Sequence, residues 1–173
     1  GAGNDELDGG TENDRVNGND GDDTITGGED DDIITGDGGK DSINGGDGND
    51  KIDAGAANDT VFGDAGDDSV SGGAGLDSIE GNDTLNGMAD NDRIEGGDGD
   101  DKIFGGAGND VMLGGLDNDE INSQGGNDTM LGEEGDDKLN GGAGNELMFG
   151  GDGNDSMNGM AGNDTMLGDD SPT

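Results

Sequence analysis

One apolar side chain recurs every nine residues, always two places after an acid. The pairs run Asp14/Val16, Asp23/Ile25, Asp32/Ile34, Asp41/Ile43, Asp50/Ile52, Asp59/Val61, Asp68/Val70 and Asp77/Ile79. One step is short, six residues to Asp83/Leu85, and the nine-residue step then resumes from Asp92/Ile94 to Asp164/Met166. Counting from Asp5/Leu7 there are 19 units. With the acid as position 6 and the apolar residue as position 8, position 8 is Leu, Val, Ile or Met in all 19. Position 6 is Asp in 18, with Glu146 the exception. Position 1 is Gly almost throughout, Ala54 and Ser123 departing; position 4 is mostly Gly, with Glu12, Asp30, Ala57, Asp90 and Asp117 departing. Compositional bias alone does not hold an apolar residue in register 19 times. A fixed short period marks a repeat architecture.

The period predicts the elements. Side chains alternate across a strand, so positions 7 to 9 form a minimal strand with position 8 facing one way and its neighbours the other. Positions 1 to 6 turn the chain back, helped by glycines that accept positive φ. Two units make an 18-residue coil with two short parallel strands, and stacking places each position 8 over its counterpart in the next coil. One interior ladder reads Leu7, Ile25, Ile43, Val61, Ile79, Ile94, Met112, Met130, Met148 and Met166. The other reads Val16, Ile34, Ile52, Val70, Leu85, Ile103, Ile121, Leu139 and Met157. The array spans 1–168, with the shortened unit at 81–86 and a tail at 169–173.

Composition changes this picture in one respect. Only 24% of the chain is hydrophobic, 43 residues are Gly, and 45 acids stand against 6 bases for a net charge of −39. So little apolar surface does not offset the entropy of ordering so glycine-rich a chain, which predicts disorder unless something else binds. The charge argues against nucleic acid and anionic membrane surfaces as partners and favours cations. With no Cys there is no disulfide framework. No apolar run reaches membrane-spanning length and no signal peptide is visible. The ends, Gly1 and Pro172-Thr173, read as those of a processed or excised segment.

The unit GGxGxDxUx, with U aliphatic, appears cleanly in Gly45-Gly46-Asp47-Gly48-Asn49-Asp50-Lys51-Ile52-Asp53 and in Gly150-Gly151-Asp152-Gly153-Asn154-Asp155-Ser156-Met157-Asn158. It resembles the repeats-in-toxin (RTX) calcium-binding nonapeptide repeat over essentially Gly1 to Leu167. The resemblance implies an all-β, right-handed parallel β-roll, a β-helix or solenoid. It also implies that each Ca²⁺ lies between adjacent turns on one edge, shared by position-6 carboxylates 18 residues apart such as Asp23/Asp41 and Asp32/Asp50, with turn carbonyls completing the shell. The metal ligands expected on this basis are Asp5, Asp14, Asp23, Asp32, Asp41, Asp50, Asp59, Asp68, Asp77, Asp92, Asp101, Asp110, Asp119, Asp128, Asp137, Asp155 and Asp164. Two positions are set apart. Asp83 sits in a unit lacking three turn residues, where a weak or missing site between Asp68 and Asp101 competes with a tightened turn that still binds. Glu146 adds a methylene at a ligand position between Asp128 and Asp164.

The chemistry fits calcium, which takes six to eight hard oxygens in flexible geometry; magnesium prefers a tighter octahedron and its own waters. Zinc would call on His or Cys, and there is neither. Nineteen turns offer at most 17 same-edge pairs, and 17 Ca²⁺ would bring −39 to −5. Without metal, stacked carboxylates would repel at ~4.8 Å spacing.

The outer faces differ. The second ladder's strands carry Arg15, Lys51, Lys102 and Lys138 among Asn, Ser and Thr, a solvated face. The first ladder's strands begin with Thr24, Thr26, Ser42 and Asn44 and turn apolar later, at Val111, Leu113, Leu131, Leu147, Phe149 and Leu167, with Thr129 and Thr165 between. Such a patch reads as a contact surface to another domain or another copy. No His, Cys, Tyr or Trp and no G-x-S-x-G elbow is present, which argues against an enzyme. The leading expectation is a structural module that folds on binding Ca²⁺, in a secreted or cell-surface bacterial protein exported by a type I route. The alternative is a self-assembling surface-layer, filament or adhesin subunit. An ice-binding roll is the weaker third reading. Position 5 offers Asn4, Asn49, Asn109, Asn127 and Asn163, but position 3 is mostly Ala or Asp.

If folding and binding are coupled, chelator abolishes the far-UV circular dichroism signal of β structure and added Ca²⁺ restores it. A chain that keeps its β signal in chelator contradicts the coupling.

Overall fold

Alternation of one inward and two outward side chains, repeated every nine residues, builds a two-sided parallel β-solenoid. A computed structural model describes residues 1–66, 68–75, 77–80 and 83–168, except for the side chains of Glu80 and Asp83. No helix occurs among the described residues, so none is long and apolar enough to cross a membrane. One sheet stacks β1 (Glu6–Thr11), β3 (Thr24–Glu29), β5 (Ser42–Asp47), β7 (Thr60–Ala65), β9 (Ser78–Glu80), β11 (Arg93–Asp98), β13 (Val111–Leu116), β15 (Thr129–Glu134), β17 (Leu147–Asp152) and β19 (Thr165–Leu167) in that order. The other stacks β2 (Arg15–Asp20), β4 (Ile33–Gly38), β6 (Lys51–Ala56), β8 (Asp68–Ala74), β10 (Asp83–Ala89), β12 (Lys102–Ala107), β14 (Glu120–Gly125), β16 (Lys138–Ala143) and β18 (Ser156–Ala161). Every pairing is parallel, and the register sets Leu7 beside Ile25, Ile25 beside Ile43, and Val16 beside Ile34. The two expected ladders are the two halves of one core, which is sealed from Ile25 to Met148 and loosens at the ends, where Leu7, Val16 and Met157 are half-buried; Met166, expected to close the first ladder, is exposed because no further coil covers it among the described residues.

The strands are longer than the sequence pattern suggests. Most run six residues, from position 7 through position 3 of the next unit, which leaves only positions 4 to 6 to turn the chain. Pairing skips position 1 and resumes at position 2, as in Leu7↔Ile25, Asp8↔Thr26, then Gly10↔Gly28. Position 2 achieves this with a positive φ, 103° at Gly10, so the chain bends without leaving the ladder.

The coil geometry imposes the same backbone on residues that resist it. All five non-glycine departures at position 4 hold a positive φ: Glu12, Asp30, Ala57, Asp90 and Asp117. At position 2 so do Asn19, Asp37, Asp64, Met88, Gln124, Glu133 and Met160. Asn and Asp tolerate this conformation, whereas a residue such as Ala carries roughly 1–2 kcal/mol of strain there.

The shortened unit is absorbed at the rim. β9 keeps only the three residues that pair Ser78, Ile79 and Glu80 with Thr60, Val61 and Phe62 on one side and with Arg93, Ile94 and Glu95 on the other. The opposite sheet passes through intact, with Asp83 to Ala89 paired to Asp68 to Ala74. The core ladder is therefore unbroken, because the loss shortens β9 after position 9 and spares position 8. At position 4 of a regular coil, a side chain on Gly66 would collide with the backbone of Gly48. A shallow cleft of about 540 Å³ lies on the second sheet's side, lined by Asp68, Thr84, Asp100, Asp101, Lys102, Asn118 and Glu120.

Ala57→Gly removes strain at φ 94°. It stabilises the folded chain by about 0.5–1 kcal/mol once the added freedom of the unfolded state is deducted. Chemical denaturation of the two proteins side by side measures this, and an unchanged or lower midpoint refutes it.

Candidate metal-binding turns

Each position-6 side chain sits where the chain enters a strand, so stacking coils stacks the carboxylates. On one edge the column runs Asp5, Asp23, Asp41, Asp59, Asp77, Asp92, Asp110, Asp128. Each backbone N–H donates to the Oδ1 of the next member, at 2.8 Å for the first step and 2.9 Å for the others. The step from Asp77 to Asp92 spans 15 residues rather than 18, so the short unit leaves this column intact. On the other edge Asp14 donates to Asp32, Asp32 to Asp50 and Asp50 to Asp68. Further along, Asp101 donates to Asp119, Asp119 to Asp137 and Asp137 to Asp155. The expected neighbours Asp23/Asp41 and Asp32/Asp50 are thus brought together, by a link that a nine-residue period does not disclose.

The second oxygen of these carboxylates is of a different kind. Oδ2 is buried and accepts no hydrogen bond in Asp23, Asp32, Asp41, Asp50, Asp59, Asp77, Asp92, Asp110, Asp119, Asp128 and Asp137. A buried acceptor left unsatisfied costs about 1–3 kcal/mol, and more when it is charged. Position 1 explains how the oxygen fits. A Cβ on Gly45 would lie 2.5 Å from Oδ2 of Asp50 and 2.7 Å from the carbonyl oxygen of Gly63 in the next coil. Glycine at position 1 therefore leaves a cradle for a carboxylate oxygen and a backbone carbonyl. Ala54 and Ser123 occupy position 1 fully buried, and the Ser123 hydroxyl donates to the Gly141 carbonyl.

This donor set suits one class of ion. Among the described residues no three carboxylates converge on a point. Each turn instead combines carboxylates one coil apart with backbone carbonyls, the mixed hard-oxygen shell that Ca²⁺ accepts. The residues present fit calcium on the strength of the orphaned Oδ2 atoms and the cradle beside them.

Burial dominates the electrostatics. It is the first cause that pushes the carboxyls of Asp41, Asp50, Asp77, Asp110 and Asp137 upward. Asp59 reaches about 6, and Asp92 and Asp119 about 7. In each the backbone N–H of the preceding coil pulls the other way, and neighbouring carboxylates add to the rise. The columns relax at the ends of the stack, where Asp5, Asp14, Asp155 and Asp164 are only half-buried, and the terminal amine of Gly1 pairs with Asp5 at 2.9 Å. Of Asp83 only the backbone is described, so the expectation of a weak site there lies outside the described side chains.

Glu146 breaks the rule. It is buried like its neighbours, yet neither of its oxygens accepts a backbone N–H. Its own N–H still donates to Oδ1 of Asp164 at 3.2 Å. Burial first, then a side-chain hydrogen bond with Asp164 and the charges of Asp164 and Asp128, raise its carboxyl to about 7.

Position 5 holds a second set of ladders that sequence reasoning missed. Oδ1 of Asn91, Asn109, Asn127 and Asn145 each accepts the backbone N–H of the residue 18 later, at 2.6 to 2.9 Å. Their side-chain amides are linked along the same row. On the other edge Asp100, Asn118 and Asp136 do the same for Asn118, Asp136 and Asn154. Position 6 therefore reaches back one coil and position 5 reaches forward one. The recurrence of Asn or Asp before the position-6 acid was the available signal.

The expected interface residues also come together. Leu113, Leu131, Phe149 and Leu167 pair in sequence across β13, β15, β17 and β19, and Val111, Thr129, Leu147 and Thr165 form the row beside them. Val111, Leu147 and Leu167 are exposed, the others in the two rows less so except Thr165.

The family model for the RTX calcium-binding nonapeptide repeat matches residues 1–34, 17–52, 26–61, 44–79, 79–112, 113–145 and 140–171. No curated protein matches the chain.

A carboxyl whose folded-state pKa lies above its unfolded value binds more protons when folded. The metal-free roll therefore loses stability as pH rises from the ordinary aspartate range to about 7, and gains it as pH falls. In chelator the β signal should grow on acidification from neutral pH toward about pH 4. Apparent calcium affinity should fall over the same range, because protons and Ca²⁺ compete for the same oxygens. A metal-free β signal that declines on acidification would reverse the sign and refute the burial argument.

Proposed function

Because the chain belongs to the RTX calcium-binding nonapeptide-repeat family, we propose that it is a structural module whose two turn edges take up a series of Ca²⁺ ions and which folds as they bind. The observation that carries this is the set of buried Oδ2 atoms without partners at Asp23, Asp32, Asp41, Asp50, Asp59, Asp77, Asp92, Asp110, Asp119, Asp128 and Asp137. A stack that buries so many carboxylates one coil apart calls for cations to neutralise them, and binding free energy becomes folding free energy. The ligands are the position-6 carboxylates of Asp5 to Asp164, with Asp83 and Glu146 as special cases, and the turn carbonyls beside them. Up to about 17 ions fit the count of same-edge turns. Calcium is scarce in cytosol and abundant outside cells, so a chain that folds on calcium suits export unfolded from a bacterium and folding at the cell surface or beyond. No catalytic role is proposed.

A second reading concerns assembly. The rows Leu113–Leu131–Phe149–Leu167 and Val111–Leu147 lie on the outer face of one sheet, where solvated residues occupy the N-terminal coils. This supports contact with a neighbouring domain or another copy, as in a surface layer, filament or adhesin. An ice-binding face has less support, since the position-5 Asn amides are linked to one another along the stack.

Calorimetric titration should show many Ca²⁺ per chain, with Mg²⁺ at equal concentration a poor substitute. Uptake of none, or of a single ion, refutes the main reading. Leu131→Ser with Phe149→Ser should abolish any calcium-dependent self-association seen by analytical ultracentrifugation while leaving the β signal intact. An unchanged association state in the double variant removes the second reading.

A further inference from the structure

The turn at Glu146 differs from the aspartate turns in how many oxygens it leaves for a ligand. In the aspartate columns Oδ1 accepts the N–H of the residue one coil before, as Asp110 donates to Asp128, and only Oδ2 remains. The next step of that column would have Asp128 donate to residue 146, and it does not, because neither Glu146 oxygen accepts a backbone N–H. The extra methylene leaves both oxygens in the turn and off that N–H. There Oε1 lies 2.5 Å from where a Cβ on Gly144 would stand, and Oε2 lies 2.8 Å from the same point on Gly141. The side chain is 2% exposed, so water does not satisfy either oxygen. Asp128, with a buried and unpartnered Oδ2, precedes it in the column, and Asp164 follows, holding the Glu146 N–H.

From this geometry we infer that Glu146 chelates one Ca²⁺ through both carboxylate oxygens, in contrast to the single free oxygen of each aspartate turn. The inference rests on the calcium-binding reading above. Calcium accepts bidentate carboxylates readily, whereas the smaller Mg²⁺ holds to octahedral geometry with one oxygen per carboxylate. The glycines at 141 and 144 leave the room that two oxygens and an ion require. Glutamate at this one position thus exchanges a ladder hydrogen bond for a second metal bond.

The test uses the full chain labelled with ¹³C at glutamate side-chain carboxyls, followed by infrared difference spectroscopy on adding Ca²⁺, with ions counted by native mass spectrometry. Chelation through both oxygens shifts a carboxylate's antisymmetric stretch to lower frequency, and binding through one oxygen shifts it higher. The wild-type chain should show one labelled band moving to lower frequency. Glu146→Asp restores the residue found in the other 18 units and so keeps the fold; it should keep the ion count and lose that band. Glu146→Gln should lose the band and one ion, its β signal in saturating Ca²⁺ reporting that it has folded. The inference is overturned if the band is absent from wild type, moves to higher frequency, or persists in Glu146→Asp. If wild type takes up many ions and Glu146→Gln takes up the same number, the inference alone falls. If wild type takes up none, the calcium reading falls with it.

Discussion

The structure depends on one constraint, the stacking of a buried carboxylate on the backbone of the coil before it. The N–H at position 6 donates to the Oδ1 of the acid one coil later, and this link sets the spacing of the coils at their edges. The same link buries the second oxygen with nothing to satisfy it. A charge-assisted hydrogen bond and an exposed electrostatic demand thus come from a single side chain. Repeated along two edges, that demand makes the roll a scaffold for cations and a poor fold without them.

Around the constraint the rest of the unit follows. Position 8 fills a core one residue deep, and its continuity from Ile25 to Met148 survives the short unit because β9 and β10 retain it. Position 1 is glycine because a Cβ would enter the space of the carboxylate and of the next coil's carbonyl. Position 5 adds a counter-directed ladder on the surface, so each turn is tied to the coil before and the coil after. Neighbour-to-neighbour ties of this kind make stability a sum over adjacent coils, as in other solenoids. Irregularities therefore stay local: Ala57 strains its own turn, the short unit before Asp83 leaves the core ladder continuous, and Glu146 alters one rung.

Function follows from the same geometry at two scales. Within a turn, mixed carboxylate and carbonyl oxygens select a hard ion of flexible coordination. Along the array, the parallel register turns single apolar residues in successive units into continuous rows, Leu113 to Leu167 above all. A residue that would be unremarkable once becomes a surface when it recurs every 18 positions.

The sequence by itself determined the nine-residue period, both position-8 ladders, the parallel two-sheet stack, the column of Asp23, Asp41 and their kin, and the odd places at Asp83 and Glu146. These are legible because periodicity is a property of order along the chain, and a side chain's face follows from it. Only the tertiary structure decided that the strands run on through positions 1 to 3, that Glu12, Ala57 and Met88 adopt a glycine's backbone, and that buried aspartates such as Asp23, Asp41 and Asp128 give one oxygen to a backbone N–H and keep one free. It alone showed that Glu146 gives neither and that the Asn rows at position 5 are linked. The reason is physical: these features depend on the offset between one coil and the next, a distance across the stack that no spacing along the chain records.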